Sequence, residues 1–566
     1  MLRSLDVLVV DCQASGASPT HGDLLELGWA VTGSGAMAVP TRAHWIVPAT
    51  DRPVSRPVRQ LTGWTDACLA EAIVATDAWS RLEEDAKRAT ASDGSLVPTV
   101  IHFARFELAF LRDLHAKVAG AGGSPAFPFD TICLHAIAQR LFPDLPRKNL
   151  RAIAGHLGHS PELVRRSTGH VEASAFIWRA VVPLLEEAGV HTWEELKAWL
   201  EAPPPTSART RTGRKKVGYP MPSEVRRALP DAPGVYRFLR PNGDVLYVGK
   251  AASLKKRVAS HFSAGTRATE RALEMLSQAH DIRITQTESI LEAALLETDE
   301  IKRIDPPYNV QLRVGDRHAW FASTDWRTSA PVPDDVHRVG PLPSRRSLSP
   351  LGAVRALLER DGYEDDASLR AAALGVPTRF GPDATTFREA WSAFVDEHVR
   401  GAGSIASQLL RASLRIVPVD GPDDEDEVEP PGGWDVARVR RHLDRSVHGG
   451  GLLVRRARAL ALLSESVVVF REPRAEVARF LVVSGCEITA RGAFEGVALE
   501  AIGGAMRRPR RARQEAFDAP RYDRLRVLAT ELRRVADQGG EVRIRVGRHV
   551  AQLQPASVPL VDAVET

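Results

Sequence analysis

Cysteine is scarce. Cys12, Cys68, Cys133 and Cys486 are the four in the chain, and no two stand in a Cys-x-x-Cys pair. That spacing speaks against a thiolate zinc or iron–sulfur centre and against a secreted disulfide scaffold. Long apolar runs are missing as well. No stretch approaches the roughly 20 residues that a membrane span needs, and the run before Asp11 is too brief for the core of a signal peptide. The expectation is a cytoplasmic protein without a membrane partner. Nor is charge of one sign in excess: 75 Lys and Arg against 71 Asp and Glu give a formal net charge of +4. No overall field announces a polyanionic partner. Lysine is sparse, which makes its distribution informative. Lys215, Lys216, Lys250, Lys255, Lys256 and Lys302 fall in one stretch, joined by Arg209, Arg211, Arg214 and Arg257. Clustered cations are the footprint of phosphate binding, although a solvated linker and helix face would read the same way.

What is present describes a core-forming chain: 44% hydrophobic and 26% charged over 566 residues, a length suited to about three or four domains. Two breaks divide it. Pro203-Pro204-Pro205, followed by a Ser/Thr/Arg/Lys-rich run to Lys216, reads as a basic linker over 201–219. The second break runs from Pro418 through Asp423, Asp424, Glu425, Asp426 and Glu427 to Gly433, an acidic spacer that cannot bury a core. The expected units are then 1–200, 220–312, a mostly helical connector over 313–417, and an α/β region over 434–566.

The first unit opens with Leu5-Asp6-Val7-Leu8-Val9-Val10, a β-rich run ending at Asp11. Val100-Ile101-His102-Phe103 leads into a helix expected from Arg105 to Leu114, with helical patterns around 130–141, 148–157 and 170–187. Strands first and helices later suggest an α/β domain with a mixed sheet. The second unit reads strand, turn, strand, helix, helix. Gly234–Leu239 and Val245–Val248 flank Pro241-Asn242-Gly243-Asp244, which holds the Asn-Gly pair of a two-residue hairpin. Ser253 can cap a helix bearing Lys255, Lys256, Arg257 and His261. A further helix is expected from about Glu288 to Ile304, before Pro306-Pro307.

Here the pattern is specific. Gly234-Val235-Tyr236 and Tyr247-Val248-Gly249-Lys250 stand one hairpin apart, so both tyrosines can reach one site. Glu297 shares its helical stripe with Ile290, Ala293, Ala294 and Ile301. A carboxylate there needs a partner, since burying an unpaired charge is costly; a metal ion and an arginine are equal candidates. Asn309 can fix the chain end after Tyr308. Together with Leu254-Lys255-Lys256-Arg257-Val258, Leu295-Leu296-Glu297 and Tyr308-Asn309-Val310, these stretches resemble the GIY-YIG nuclease domain at the N-terminus of UvrC-like excinucleases. The resemblance covers about 95 residues, in order and spacing. It implies a small α/β nuclease domain whose functional residues fall on Tyr236, Tyr247, Lys250, Arg257, Glu297 and Asn309. It further implies phosphodiester hydrolysis with one Mg²⁺ or Mn²⁺ held by Glu297, which takes hard oxygen ligands. Tyr247 would be the base, with Lys250 easing its deprotonation, and Arg257 would clamp the phosphate. His261, where those excinucleases often have tyrosine, would contact phosphate or serve as another base.

A second resemblance is incomplete. Asp11-Cys12-Gln13, His102-Phe103-Ala104-Arg105-Phe106-Glu107 and His170-Val171-Glu172 resemble the three motifs of proofreading-type DEDDh exonucleases. Gly16, Leu25-Glu26-Leu27-Gly28 and Leu150 to Gly158 also fit that domain. It implies an RNase H-like α/β fold over most of 1–190, with four carboxylates holding two metals and a histidine base. Three acids depart: Gln13 stands for glutamate, Glu107 for aspartate and Ala175 for the last aspartate. Asp11 and His170 match outright, and Glu172 could reach the vacant place. The expectation is a folded domain with little catalysis.

Residues 340–346 bear a weak likeness to the connector that follows the nuclease module of the excinucleases. From 434 a helix carries Arg438, Arg440 and Arg441, and Ser466–Phe470 and Phe480–Val483 read as paired strands. The later nuclease half of the excinucleases and their helix-hairpin-helix tail are not recognisable, which puts dual incision in doubt. The leading expectation is a multidomain α/β DNA endonuclease in excision-type repair, binding DNA through Lys215, Lys216, Lys255 and Lys256 and served by a helicase-like loading partner. A 3′-5′ exonuclease acting through the first domain and a non-catalytic DNA-binding scaffold are the alternatives.

Overall fold

The computed structural model describes residues 1–33, 35, 40–89, 96–119, 126–160, 165–203, 218–263, 269–310, 319–360, 366–417, 433–473, 475–494, 518–546 and 549–552. Both sequence linkers fall largely outside them, and Lys215 and Lys216 with them. Two units form: Met1–Gln286 with Pro306–Tyr308, and Thr287–Asp305 with Asn309–Thr566. Among the described residues no helix is long and apolar enough to cross a membrane.

In the first unit the N-terminal apolar run forms strand β1 (Asp6–Ala14) at the centre of a five-stranded sheet. Its partners are β2 (Leu24–Gly33), β3 (Arg42–Trp45), β4 (Val97–Ile101) and β5 (Phe129–Cys133), in the order β3-β2-β1-β4-β5. β2 runs antiparallel to β1, while β4 and β5 run parallel to it. Alternation sends Val7 and Val9 into one core with Ile177 and Trp178. Leu8 and Val10 enter the other, with Trp29, Trp79 and Leu111. A strand buried on both faces needs helices on both. These are α1 (Arg56–Thr62), α2 (Ala75–Ala86), α3 (Ala104–Ala119), α4 (Leu134–Leu141), α5 (Leu150–His156), α6 (Ser167–Glu187) and α7 (Trp193–Glu201). One expectation needs correction: the helical pattern read from 130 begins as strand β5. Phe129 and Ile132 are its buried positions, three residues apart, a spacing that imitates a helical stripe.

The same unit continues with α8 (Ser223–Arg227), β6 (Gly234–Leu239), β7 (Val245–Ala251), α9 (Leu254–Ser263), α10 (Glu270–Gln278) and β8 (Asp281–Gln286). β6 is the middle strand of an antiparallel sheet ordered β7-β6-β8. Gly243 in the hairpin turn has φ +89°, a region that glycine enters without a Cβ penalty. β8 is absent from the sequence reading.

The second unit begins with α11 (Ile290–Ile304), whose Leu291 and Leu295 lie in the core of the C-terminal sheet. A small sheet of β9 (Trp320–Ser323), β10 (Ser329–Ala330) and β11 (His337–Leu342) precedes four helices: α12 (Ser349–Glu359), α13 (Ala367–Leu374), α14 (Ala384–His398) and α15 (Ile405–Arg415). The long α16 (Val436–Leu463), capped by Asp435, joins their core through Val439, Leu443 and Val447. Its last turns, Ala459 to Leu463, enter the next core. That core is covered by the antiparallel sheet β14-β13-β12-β15-β16, made of β12 (Ser466–Arg471), β13 (Ala478–Ser484), β14 (Glu487–Phe494), β15 (Glu541–Val546) and β16 (His549–Gln552), and by α17 (Ala519–Asp537). The expected pairing of 466–470 with 480–483 is present, with Val469 opposite Phe480. The chain is a multidomain α/β protein.

Candidate active site

The hairpin sets two tyrosines on one face. Tyr236 pairs with Gly249, and Phe238 pairs with Tyr247, so alternation aligns all four. The rings of Tyr236 and Tyr247 lie 6.0 Å apart at 41°. Gly249 makes this possible: a Cβ there would sit 2.6 Å from Cζ and Oη of Tyr236 and 2.7 Å from Tyr247 Cε1. Glycine is required because the rings cover its Cα.

Ser253 caps α9, its Oγ accepting from Lys256 N at 3.2 Å, and the helix then presents Arg257 and His261 four residues apart on one side. His261 Nε2 lies 2.7 Å from Tyr236 Oη. Arg257 hydrogen-bonds both phenols; Tyr236 is the main cause that holds its guanidinium above the ordinary range. Burial first, then Arg257, push the His261 imidazole down to about 4. The ring is therefore neutral near pH 7. Arg257 supplies hydrogens to the phenol oxygens, and which partner donates in the Tyr236–His261 bond follows the imidazole tautomer. Phe238 closes the side, its ring 5.4 Å from His261 at 84°. Phe238 is a site residue that the sequence reading missed, although its place two residues after Tyr236 gave the signal. Of the expected residues, the fold brings Tyr236, Tyr247, Arg257 and His261 together. Lys250 is half-buried at the position opposite Val235. Lys255 and Lys256 are exposed on α9, Lys256 lying 3.3 Å from Asp231.

Glu297 and Asn309 belong to the second unit. Ser289 caps α11 by accepting from Glu292 N at 3.1 Å. Glu472 accepts from Ile290 N at 3.0 Å, a carboxylate at the positive end of the helix dipole. The apolar stripe expected around Glu297 is buried, yet the acids buried on that helix are Glu292, paired with Arg479 at 2.7 Å, and Glu300. Glu297 is half-buried and Asn309 is buried. The half-buried Glu297 carboxylate offers hard oxygen donors of the kind that Mg²⁺ or Mn²⁺ takes.

The second constellation assembles around β1. Asp11 Oδ1 lies 3.0 Å from His170 Nδ1. Glu107 Oε2 accepts from Cys12 N at 3.1 Å, and burial, then Asp11, hold its carboxyl well above the usual range. Gln13 donates to Arg165 O at 2.6 Å. His102 is driven down to about 3 by burial, with His135 and His170 adding to it. Two findings bear on the missing acids. Ala175 is wholly buried in the apolar core that α6 joins, and Glu172, the acid within reach of the vacant place by sequence, is exposed. Among the described residues no group of three or more His, Cys, Asp or Glu is arranged to hold a metal ion. The donor set does not fit a two-metal centre.

Comparison with known proteins agrees with the first constellation. Residues 232–310 match the family described as the UvrC-like GIY-YIG domain, so the resemblance read from the sequence holds for that segment. A Mycobacterium tuberculosis protein whose name describes a bifunctional exonuclease/endonuclease is 30% identical over 369 residues, 63% of this chain and 53% of that one. The UvrABC system protein C of Alkalilimnicola ehrlichii is 46% identical over 100 residues, 18% of this chain and 16% of its own. The chain thus spans about half of one relative and a small part of the other. Among solved structures, the magnesium-bound GIY-YIG N-terminal endonuclease domain of UvrC from Thermotoga maritima is 30% identical. All of that domain aligns with 16% of this chain, at a TM-score of 0.15.

Proposed function

We propose that the chain is a metal-dependent endonuclease that hydrolyses DNA phosphodiester bonds in a structure-selective manner, in excision-type repair. The observation that carries this reading is the phenol–guanidinium–imidazole cluster of Tyr236, Tyr247, Arg257 and His261 inside the matched segment. Tyr247 is the proposed base for the attacking water. Hydrogen bonds from Arg257 favour the anionic form of Tyr247. In this reading Tyr236 gives its hydrogen to a neutral His261, which holds that phenol protonated. The same guanidinium can meet a phosphate oxygen with its remaining donors as charge develops. Glu297 would hold the Mg²⁺ or Mn²⁺, which supplies Lewis-acid polarisation of a phosphate oxygen. Lys255 and Lys256, exposed on α9, would lie along the DNA backbone. The naming of the relatives as UvrABC system proteins supports a repair setting with a loading partner.

The test is nicking of supercoiled circles in Mg²⁺ or Mn²⁺. Glu297→Ala should abolish cleavage while DNA retention in a gel shift stays unchanged, and Tyr247→Phe should slow it by about 10²-fold or more. Full nicking by the Glu297→Ala protein would sink the assignment.

A further inference from the structure

Within the first unit, α5 and α10 pack face to face. Gly155 lets them approach, since a Cβ there would lie 1.9 Å from Gln278 Oε1. Arg147 N donates to Ser277 Oγ at 2.9 Å, and Asn149 Nδ2 donates to Glu274 Oε2 at 2.6 Å. Beside this seam lies a cavity of about 390 Å³. It borders the degraded β1 constellation, since Phe103 follows His102 in the second motif and the His135 ring lies 5.9 Å from that of His102. Asp11, Glu107 and His170 do not line it. Helix α10 of the hairpin domain forms one wall, and the segment before α5 forms another.

Two features of its lining point to one ligand. The first is aromatic. Phe103 is 45% exposed, and its ring lies 4.7 Å from that of His135 at 30°. An exposed ring in the wall of a cavity offers a face on which a base can stack. His135 is held in place by Lys148 O, 2.8 Å from Nδ1. The second feature is cationic. Arg147, Lys148, Arg151 and Arg271 line the same cavity, against Glu270 and Glu274. Both acids are engaged: Glu270 pairs with Arg147, and Glu274 accepts from Asn149 and from Tyr308 Oη at 2.6 Å. Arg151 stands 3.6 Å from Glu274, and Arg271 donates to Pro307 O at 2.7 Å. A guanidinium has five donors, and each of these contacts occupies only part of that set. An aromatic platform next to guanidinium groups is the arrangement that binds a nucleotide, base on ring and phosphate on cation.

We propose that this cavity holds one nucleotide unit, its base stacked on Phe103 and His135 and its phosphate on Arg147, Arg151 and Arg271. The unit is either a free nucleoside monophosphate or one residue of a single DNA strand. The inference rests on the nuclease reading only for the presence of nucleic acid near the seam.

The experiment uses the full chain in EDTA, so that binding is read without cleavage. A fluorescein-labelled oligothymidylate of ten nucleotides is titrated and followed by anisotropy. Phe103→Ala should weaken binding about ten-fold, the scale of one lost base–aromatic stack, and Phe103→Tyr should restore it. Arg151→Gln should lower the log–log salt slope by about 0.7, the value for one phosphate of a single strand. Phe103 is exposed, so its replacement spares the fold, which an unchanged thermal melt verifies. Competition with thymidine monophosphate separates the sources: displacement of the oligonucleotide assigns a free nucleotide, and its failure assigns a strand residue. Equal affinity of Phe103→Ala, Arg151→Gln and the unaltered chain would overturn the proposal. Loss of nicking with Phe103-dependent binding intact would sink the nuclease reading alone.

Discussion

At the scale of single residues, His261 changes what Tyr236 can do. An ordinary imidazole would be half charged near pH 6.5 and would then donate rather than accept. Here burial first, and Arg257 second, bring it down to about 4. The depressed value keeps the neutral acceptor form as pH falls through 6.5 and loses it only towards 4. The nicking rate should therefore show no acid limb centred near 6.5. His261→Ala should slow nicking by about 10²-fold, the range for losing a proton-handling side chain. His261→Tyr, which keeps a hydroxyl acceptor, should retain more. A pH–rate profile at saturating metal checks both. An acid limb near 6.5 that disappears in His261→Tyr would show that the imidazole is in an ordinary environment. The motif letters made the two tyrosines, Arg257 and His261 legible as a set. They could not show that His261 faces Tyr236 rather than a phosphate, because that depends on how α9 lies across the sheet.

At the scale of elements, α11 is the helix that carries Glu297, and ionic contacts bind it to the C-terminal region. Lys302 Nζ lies 2.8 Å from Asp523 on α17, with side chains 9% and 1% exposed. Arg524 holds Asp299 at 2.9 Å, and Arg479 holds Glu292 at 2.7 Å. Removing one partner of a buried pair leaves the other charge stranded. Lys302→Met should cost about 3 kcal/mol, and Lys302→Met with Asp523→Leu should recover most of it. Urea unfolding of the three proteins at one pH measures this. Equal stability of the single and double variants would mean that Arg526, 3.5 Å from Asp523, already satisfies the acid. None of this was legible in the sequence, since the partners lie more than 180 residues apart. The hairpin was, because Asn-Gly between alternating apolar runs leaves few other options. Strand β8 was not. Its residues Asp281–Gln286 are half-buried or exposed throughout, so no apolar stripe marked it.

At the scale of the whole molecule, two nuclease-like constellations share one chain, and their states differ. The hairpin site keeps its polar set, while the β1 site has lost the acids that would hold metal. The structure sharpens the second point. Gln13 donates its amide to Arg165 O, so the side chain that replaces an acid is committed to the backbone. Burial and Asp11 favour the neutral form of Glu107, which weakens it as a cation ligand. Ala175 fills an apolar core where an aspartate would be buried without a partner, a costly exchange. Glu172, which with Glu107 could have compensated, is exposed on α6. The chain should therefore trim DNA ends far more slowly than it nicks circles. The measurement is digestion of labelled single strands in Mn²⁺ by the full chain carrying Glu297→Ala, which removes the proposed endonuclease and leaves the β1 site alone. Little digestion is expected, and Glu172→Ala should not change it. Gln13→Glu should add activity only if the new carboxylate joins Asp11 on a metal, and then the gain should grow with Mn²⁺ concentration. Rapid trimming that Glu172→Ala abolishes would mean that α6 turns this acid inward when DNA is bound, and that the first domain is a working exonuclease.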